Sequence, residues 1–178
     1  AKSKARRIDC VNRIRQIDSD GTIIAIVGSG RRGVQGDGGP ARLAQLDNPR
    51  GIVINDLGDL FVADWLNDRV RQIDSTGIIV TIAGDERGGY RGDGGSARLA
   101  SLYDPEALTM DQQGCLFVGT GGRVRKLRRS GASNPLVASF VSSPSPGGVV
   151  DWGSDIAVSD SGRFLSGVRG RTTTSCRE

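Results

Sequence analysis

The sequence contains no histidine, and that single absence removes much chemistry. Histidine is the side chain whose proton equilibrium sits near neutral pH and the usual ligand of catalytic zinc, so Ser/His/Asp and Cys/His catalysis are excluded within these residues. Aromatics make up 4% of the chain and lysines are only three, Lys2, Lys4 and Lys126, so arginine carries almost all of a net charge of +4. Cysteine is sparse too. Cys10, Cys115 and Cys176 stand far apart with no CxxC pair, which signals neither a zinc cluster nor a disulfide framework and favours a reducing compartment. No apolar run approaches the roughly 18 residues of a membrane-spanning helix, so no membrane insertion is expected. Residues 1–7 are basic without an apolar stretch behind them, unlike a retained signal peptide, whereas a cleaved one leaves no trace.

What the chain has in excess is glycine, 27 in 178 residues, about twice the usual share. With 37% hydrophobic residues this is the profile of a turn-rich β protein rather than a disordered one.

Repetition then fixes the architecture. Shifted by 56 positions, residues 13–62 align without a gap on residues 69–118, and 26 of the 50 positions are identical. RxRQIDS recurs at 13–19 and 69–75, GDGG at 36–39 and 92–95, ARLA at 41–44 and 97–100, and LFV at 60–62 and 116–118. Beyond Val118 the register continues at an offset of 54, through Arg123, Val124 and Arg125, after a two-residue deletion opposite residues 64–68. A weaker copy follows at 156–165. One period holds four strand-sized apolar stretches, 51–55, 59–63, 69–74 and 78–83, each bounded by glycine-rich or acidic turns. Four short strands per repeat, with no 3.6-residue periodicity, predict an all-β chain of four-stranded antiparallel propeller blades.

Residues 47–84, DNPRGIVINDLGDLFVADWLNDRVRQIDSTGIIVTIAG, resemble an NHL repeat, whose consensus reads like PxGIAVDxxGxLYVADxxNxRIRxxDxxGxxxTxAG. The resemblance covers about residues 12–170, and the GDGGPARLAQL insertion at 36–46 is similar to one common in tandem NHL proteins. It implies a partial propeller of about three blades. The expected division is a basic N-terminal tail at 1–11, a half-blade at 12–28, blades at 51–84 and 107–140, a half-blade at 154–170 and a C-terminal tail at 171–178. Half-blades at both ends would leave unpaired edges, so other protein chains are expected to complete them, in a homo-oligomer or a larger complex. A symmetric dimer joining C-terminal to N-terminal strand pairs would have six blades.

The 22 residues from 29 to 50 are too long for a structureless connection and predict a short helix, with Pro40 at its first position, Leu43 and Leu46 on one face and Pro49 as its stop. Ser96 is the candidate cap of the second copy. Such an insertion serves either as a plug over the propeller or as a rim for a partner. In GDGG, Gly36, Gly38, Gly92 and Gly94 read as positions of positive φ, with Asp37 and Asp93 bracing their turns. The loops have neither the GK[ST] of a phosphate loop nor the several acids of a calcium site, so no cofactor and no metal are expected. Arg91-Gly92-Asp93 spells an adhesion tripeptide that the repeat already explains, and the chain contains no N-x-[ST] acceptor.

The arginine pairs 13/15, 69/71 and 123/125 lie two apart on one strand face, forming either a basic ladder or buried pairs with repeat acids such as Asp64 and Asp74. Residues 119–171 hold eight Lys/Arg against three acids. Some NHL domains bind RNA on a positive face, and the resemblance therefore implies single-stranded RNA binding as an alternative, with Lys126, Arg128 and Arg129 as the phosphate contacts. Phe61 and Phe117 fall on apolar strand positions and read as core. Trp65 and Tyr90 are candidate contact residues, together with Tyr103 and Trp152. The leading expectation is a noncatalytic interaction or scaffold module, not an enzyme. A propeller lyase or hydrolase working through carboxylates alone, Asp64 and Asp93 among them, ranks last.

Overall fold

The computed structural model describes residues 4–9, 12–129, 136–142, 156–158 and 164–166, with side chains for 12–128. Among the described residues, thirteen strands form four antiparallel sheets. The first sheet comprises β1 (Lys4–Asp9), β2 (Arg13–Ile17) and β3 (Ile23–Val27). Two complete meanders follow: β4 (Pro49–Ile54), β5 (Leu60–Asp64), β6 (Arg69–Ile73) and β7 (Ile79–Ala83), then β8 (Pro105–Met110), β9 (Leu116–Thr120), β10 (Arg123–Arg129) and β11 (Leu136–Ser142). The last pair is β12 (Ile156–Val158) and β13 (Phe164–Ser166). Strands β2 to β10 fall where the apolar stretches place them, and in each full sheet neighbours in sequence are neighbours in space.

The middle strands show why the repeat forms blades. In β5 all five residues are buried, and they divide by parity: Leu60 and Val62 join Ile14, Val27, Leu46, Ile73 and Ile79 in one core, while Phe61 and Ala63 join Val70, Ile82, Leu102, Leu116 and Val118 in the next. A strand that buries both faces in this way lies between two neighbouring sheets. The cores are therefore the seams between successive blades.

Two boundaries differ from expectation. Residues 4–9 form β1, paired antiparallel with β2, so the basic tail assigned to 1–11 is largely a strand. The N-terminal sheet thus has three strands, and joining it to the two-stranded sheet of a second copy would give five rather than the four of a blade unless β1 gave way. The expected helix is reduced to a 3-10 turn, Ala41–Leu43, which its copy Ala97–Leu99 repeats. Pro40 precedes the turn instead of opening it, Pro49 begins β4, and Ser96 makes no capping hydrogen bond through its side chain. Leu43 and Leu46 do not share a face, because the chain extends at Ala44: Leu46 is fully buried and Leu43 is exposed. A third 3-10 turn, Trp65–Asn67, lies outside the insertions.

The insertion links neighbouring blades along their rim. Gly28 N–H donates to the Ala41 carbonyl at the end of β3, while Gly38 N–H bonds the Ile79 carbonyl, Ile79 N–H the Gly39 carbonyl and Ala41 N–H the Gly77 carbonyl at the start of β7. Pro40 pairs there with Ile78 as a short antiparallel bridge. Residues 38–41 thus cap the outer edge of the following blade, an edge that would otherwise present unpaired backbone groups.

Candidate functional site

The second arginine of each RxR strand holds the insertion in place. Arg71, fully buried on β6, sends Nη2 to Asp37 Oδ1 at 2.7 Å and Nη1 to Asp64 Oδ2 at 3.3 Å. Asp64, also fully buried, accepts further hydrogen bonds from the Asp47 amide and the Asn67 side chain, both at 2.8 Å. Burial pushes the Asp64 carboxyl up to about 6 despite these donors. Burial acts on Asp37 too, but its contacts with Thr81 and Arg71 outweigh it and hold that carboxyl below the usual range.

One blade later Arg125 is equally buried and reaches Asp93 Oδ1 at 2.8 Å, the Ser101 carbonyl at 3.1 Å and the Arg91 carbonyl at 3.3 Å. Thr120 stands where the first copy has Asp64, so this lock has one carboxylate instead of two. The basic ladder is thus replaced, at Arg71 and Arg125, by buried pairs. Asp74 is not a partner: it accepts from the Thr76 hydroxyl and the Thr76 and Ile78 amides within its own turn. Asp37 and Asp93 do not confine themselves to their own turns either, since each reaches an arginine 34 or 32 positions along the chain. The four glycines around them have φ of +113, +79, +94 and +81 degrees at Gly36, Gly38, Gly92 and Gly94.

Titration of Asp64 gives a pH signature. Its folded value is raised above an unfolded value near 3.8, so its ionisation costs folding free energy, and its contribution to stability improves as pH falls from about 6 towards 4. Asp37, with a lowered value, stabilises above its unfolded value and loses that contribution only as pH falls below it. Asp64→Asn should therefore flatten the pH dependence of the unfolding free energy between pH 4 and 6, measured by urea titration, and leave the fall below pH 4 in place. An unchanged slope would show that Asp64 is not the group titrating.

The aromatic residues gather at one end of the blades, where β5 turns into β6 and β9 into β10. Trp65, half-buried, lies under the Arg50 guanidinium, 3.4 Å from its ring centroid, and Arg50 in turn pairs with Glu106 at 3.1 Å across the tops of β4 and β8. In the next blade the deletion shortens the turn to Gly121-Gly122, and tyrosines occupy the space. Tyr90 donates its hydroxyl proton to the Gly121 carbonyl at 2.8 Å, stacks under Arg123 at 3.9 Å and meets Tyr103 with ring centroids 6.1 Å apart. A side chain at Gly121, where φ is +49 degrees, would run into both tyrosines. Burial raises the Tyr90 hydroxyl and the Asp104 carboxyl, the latter helped by neighbouring Asp68. Arg69 forms an ion pair with Glu86 nearby. The face thus combines Trp65, Tyr90 and Tyr103 with three arginines, at 50, 69 and 123, and four acids, Asp68, Glu86, Asp104 and Glu106.

Lys126, Arg128 and Arg129 are at the other end of β10. Lys126 pairs with Asp111 at 3.6 Å and lies 5.0 Å from the ring of Phe117, which is core, as is Phe61. Arg128 is exposed, and the side chain of Arg129, like Trp152, lies outside the described residues. The expected cations and the expected aromatics are therefore separated by the length of a blade. A cleft of about 900 Å³ opens at this second end between the two full blades, lined by Val53, Phe61, Ile82, Met110 and Leu116. Among its polar residues, Asn55 and Gln72 both donate to Asp59, and Asp111 accepts from the Cys115 amide.

Residues 30–89, which contain the first insertion, the full blade β4–β7 and the Arg71 lock, match the family model of the Teneurin NHL domain. Over those residues the chain is similar to an NHL domain, and its fold is that of a β-propeller. Among solved structures, the chain is similar to a protein of unknown function from Bacteroides thetaiotaomicron, at 20% identity and a TM-score of 0.61 over 73% of this chain and 31% of that one. It is also similar to a streptogramin B lyase, at 14% identity and TM-score 0.54 over 88% and 41%, and to virginiamycin B lyase from Staphylococcus aureus, at 15% and 0.52 over 88% and 42%. The chain spans about a third to two fifths of the length of these structures. At such identities the likeness is one of fold. No curated protein matches the sequence.

Proposed function

We propose that this NHL chain is a noncatalytic protein-binding module whose contact surface is the end of the blades carrying Trp65, Tyr90 and Tyr103. The observation that carries this reading is the composition of that face. Tyrosine, tryptophan and arginine supply most of the binding energy in protein interfaces, because they bury large area with few rotors and keep a polar tip. Here arginines are stacked on both Trp65 and Tyr90, so the side chains are ordered before a partner arrives, while Tyr103 remains 49% exposed. Three cations interleaved with four acids suit a protein surface of mixed charge better than a polyanion, which disfavours single-stranded RNA at this end. The carboxylates considered for catalysis, Asp64 and Asp93, are tied to Arg71 and Arg125. One related lyase structure is described as catalytically inactive in a histidine-to-alanine variant, and these 178 residues offer no histidine for comparable chemistry.

Affinity capture from the source cell, compared between the wild-type chain and Trp65→Ala and Tyr103→Ala, tests the assignment. A partner retained by the wild type should fall at least tenfold in recovery with either variant, the loss expected of a hot-spot residue. Equal recovery from all three would place the contact elsewhere. Nuclease-sensitive recovery that instead follows Lys126 and Arg128 would favour RNA.

A further inference from the structure

The two outer strands β3 and β7 are equivalent by repeat, yet among the described residues only β7 wears a cap. Ile79 of β7, bonded through both its amide and its carbonyl to Gly39 and Gly38, is fully buried. Its counterpart 56 positions earlier, Ile23, is 57% exposed. The strands match in detail: each pairs with its inner neighbour in the same register, Ile17 with Ile23 and Ile73 with Ile79, and each sheet has a register shift at the same place, between Ile14 and Arg15 and between Val70 and Arg71. Among the described residues β3 is the edge of its sheet.

We propose that the outer edge of β3, centred on Ile23, is a docking site for one further strap of GDGG-[P/S]-ARL chemistry supplied from outside these 178 residues. The chain's own example at β7 defines the occupant: an extended glycine-rich segment that adds a short antiparallel strand and covers the isoleucine. Main-chain bonds give such strand addition its affinity and the side-chain match its selectivity. A second copy of this chain is not the occupant, because its two straps are already committed, Asp37 to Arg71 and Asp93 to Arg125.

A fluorescein-labelled peptide of residues 34–46, VQGDGGPARLAQL, is the probe. Saturable binding to the wild-type chain is expected by fluorescence anisotropy. It should weaken at least tenfold with Ile23→Lys, an exposed position whose change leaves the fold intact. Circular dichroism of the variant verifies folding. Absence of saturable binding would overturn the proposal. So would binding that Ile23→Lys leaves unchanged, since the peptide would then be exchanging with the strap on β7. Self-association of the wild type that Ile23→Lys abolishes, followed by light scattering, would show a second copy on this edge and refute the assigned occupant.

Discussion

Replacing Arg71 by alanine should destabilise the chain by about 3–5 kcal/mol, the usual result of removing one partner from a buried charge pair. The loss is not that of a favourable contact alone. With the guanidinium gone, Asp64 would remain fully buried with only neutral donors, the Asp47 amide and the Asn67 side chain, and Asp37 would lose the anchor that draws its loop onto β7. Arg125→Ala should cost clearly less. Thr120 leaves no carboxylate buried beside Arg125, and Asp93, 42% exposed, can return to water. Urea unfolding of the two variants, read against the wild type, makes the comparison, and equal losses would show that the buried Asp64 carboxylate is not what sets the penalty. Combining Arg71→Met with Asp64→Asn should recover part of the stability lost on Arg71→Ala, since no ion is then left alone in the core.

The buried arginines were legible in the sequence only in part. The two-residue spacing in RxR shows that both side chains share a strand face, and the repeat marks Asp64 as an available acid. The sequence did not reveal that Asp37 crosses 34 positions to meet Arg71, because the pairing arises when an insertion from one blade lies on the rim of the next. A signal was nevertheless present: Asp37 with Arg71 and Asp93 with Arg125 persist together in both copies, whereas Asp64 gives way to Thr120. Asp74 looked equally suitable from its spacing, but an aspartate followed by Thr76 and Gly77 finds its donors at home.

Strand β1 was hidden for a different reason. Four of its six residues, Lys4, Arg6, Arg7 and Asp9, are charged, so it has no apolar alternation, and only pairing with β2 makes it a strand. The insertion helix failed at the level of geometry. A 3-10 turn of three residues that leaves through an extended Ala44 cannot keep Leu43 and Leu46 on one side, whatever their spacing suggests. On the candidate face, the deletion after Val118 was readable, but its consequence was not: a shortened glycine turn over which Tyr90 folds. Trp65 and Tyr90 read as contact residues, while of their stacked partners Arg123 was marked only as part of the RxR ladder and Arg50, at the start of β4, had no mark.

Gly84→Ala should be among the most damaging single-methyl additions in the chain, at about 3 kcal/mol or more. The residue follows β7 with φ of +100 degrees, a conformation that costs a residue with a side chain about 1–3 kcal/mol. Space is closed as well: the added Cβ would collide with the Asp68 carbonyl oxygen and stand 2.9 Å from the Arg69 Cα, both backbone atoms that cannot rotate away. Gly58→Ala is the control, with φ of +86 degrees but open space around its Cβ, so it should show the conformational cost without the collision. The damage at Gly84 should also travel. Gly84 N–H donates to the Ala97 carbonyl of the second insertion, and Asp68 accepts the Asp104 amide that positions Tyr103 on the candidate face. Thermal unfolding and tyrosine fluorescence of both variants would therefore separate the two effects: a large loss of stability with a changed tyrosine environment in Gly84→Ala, and a small loss with an unchanged one in Gly58→Ala. Equal losses would mean that dihedral strain, and not the close approach of the two backbone segments, is what requires glycine after β7.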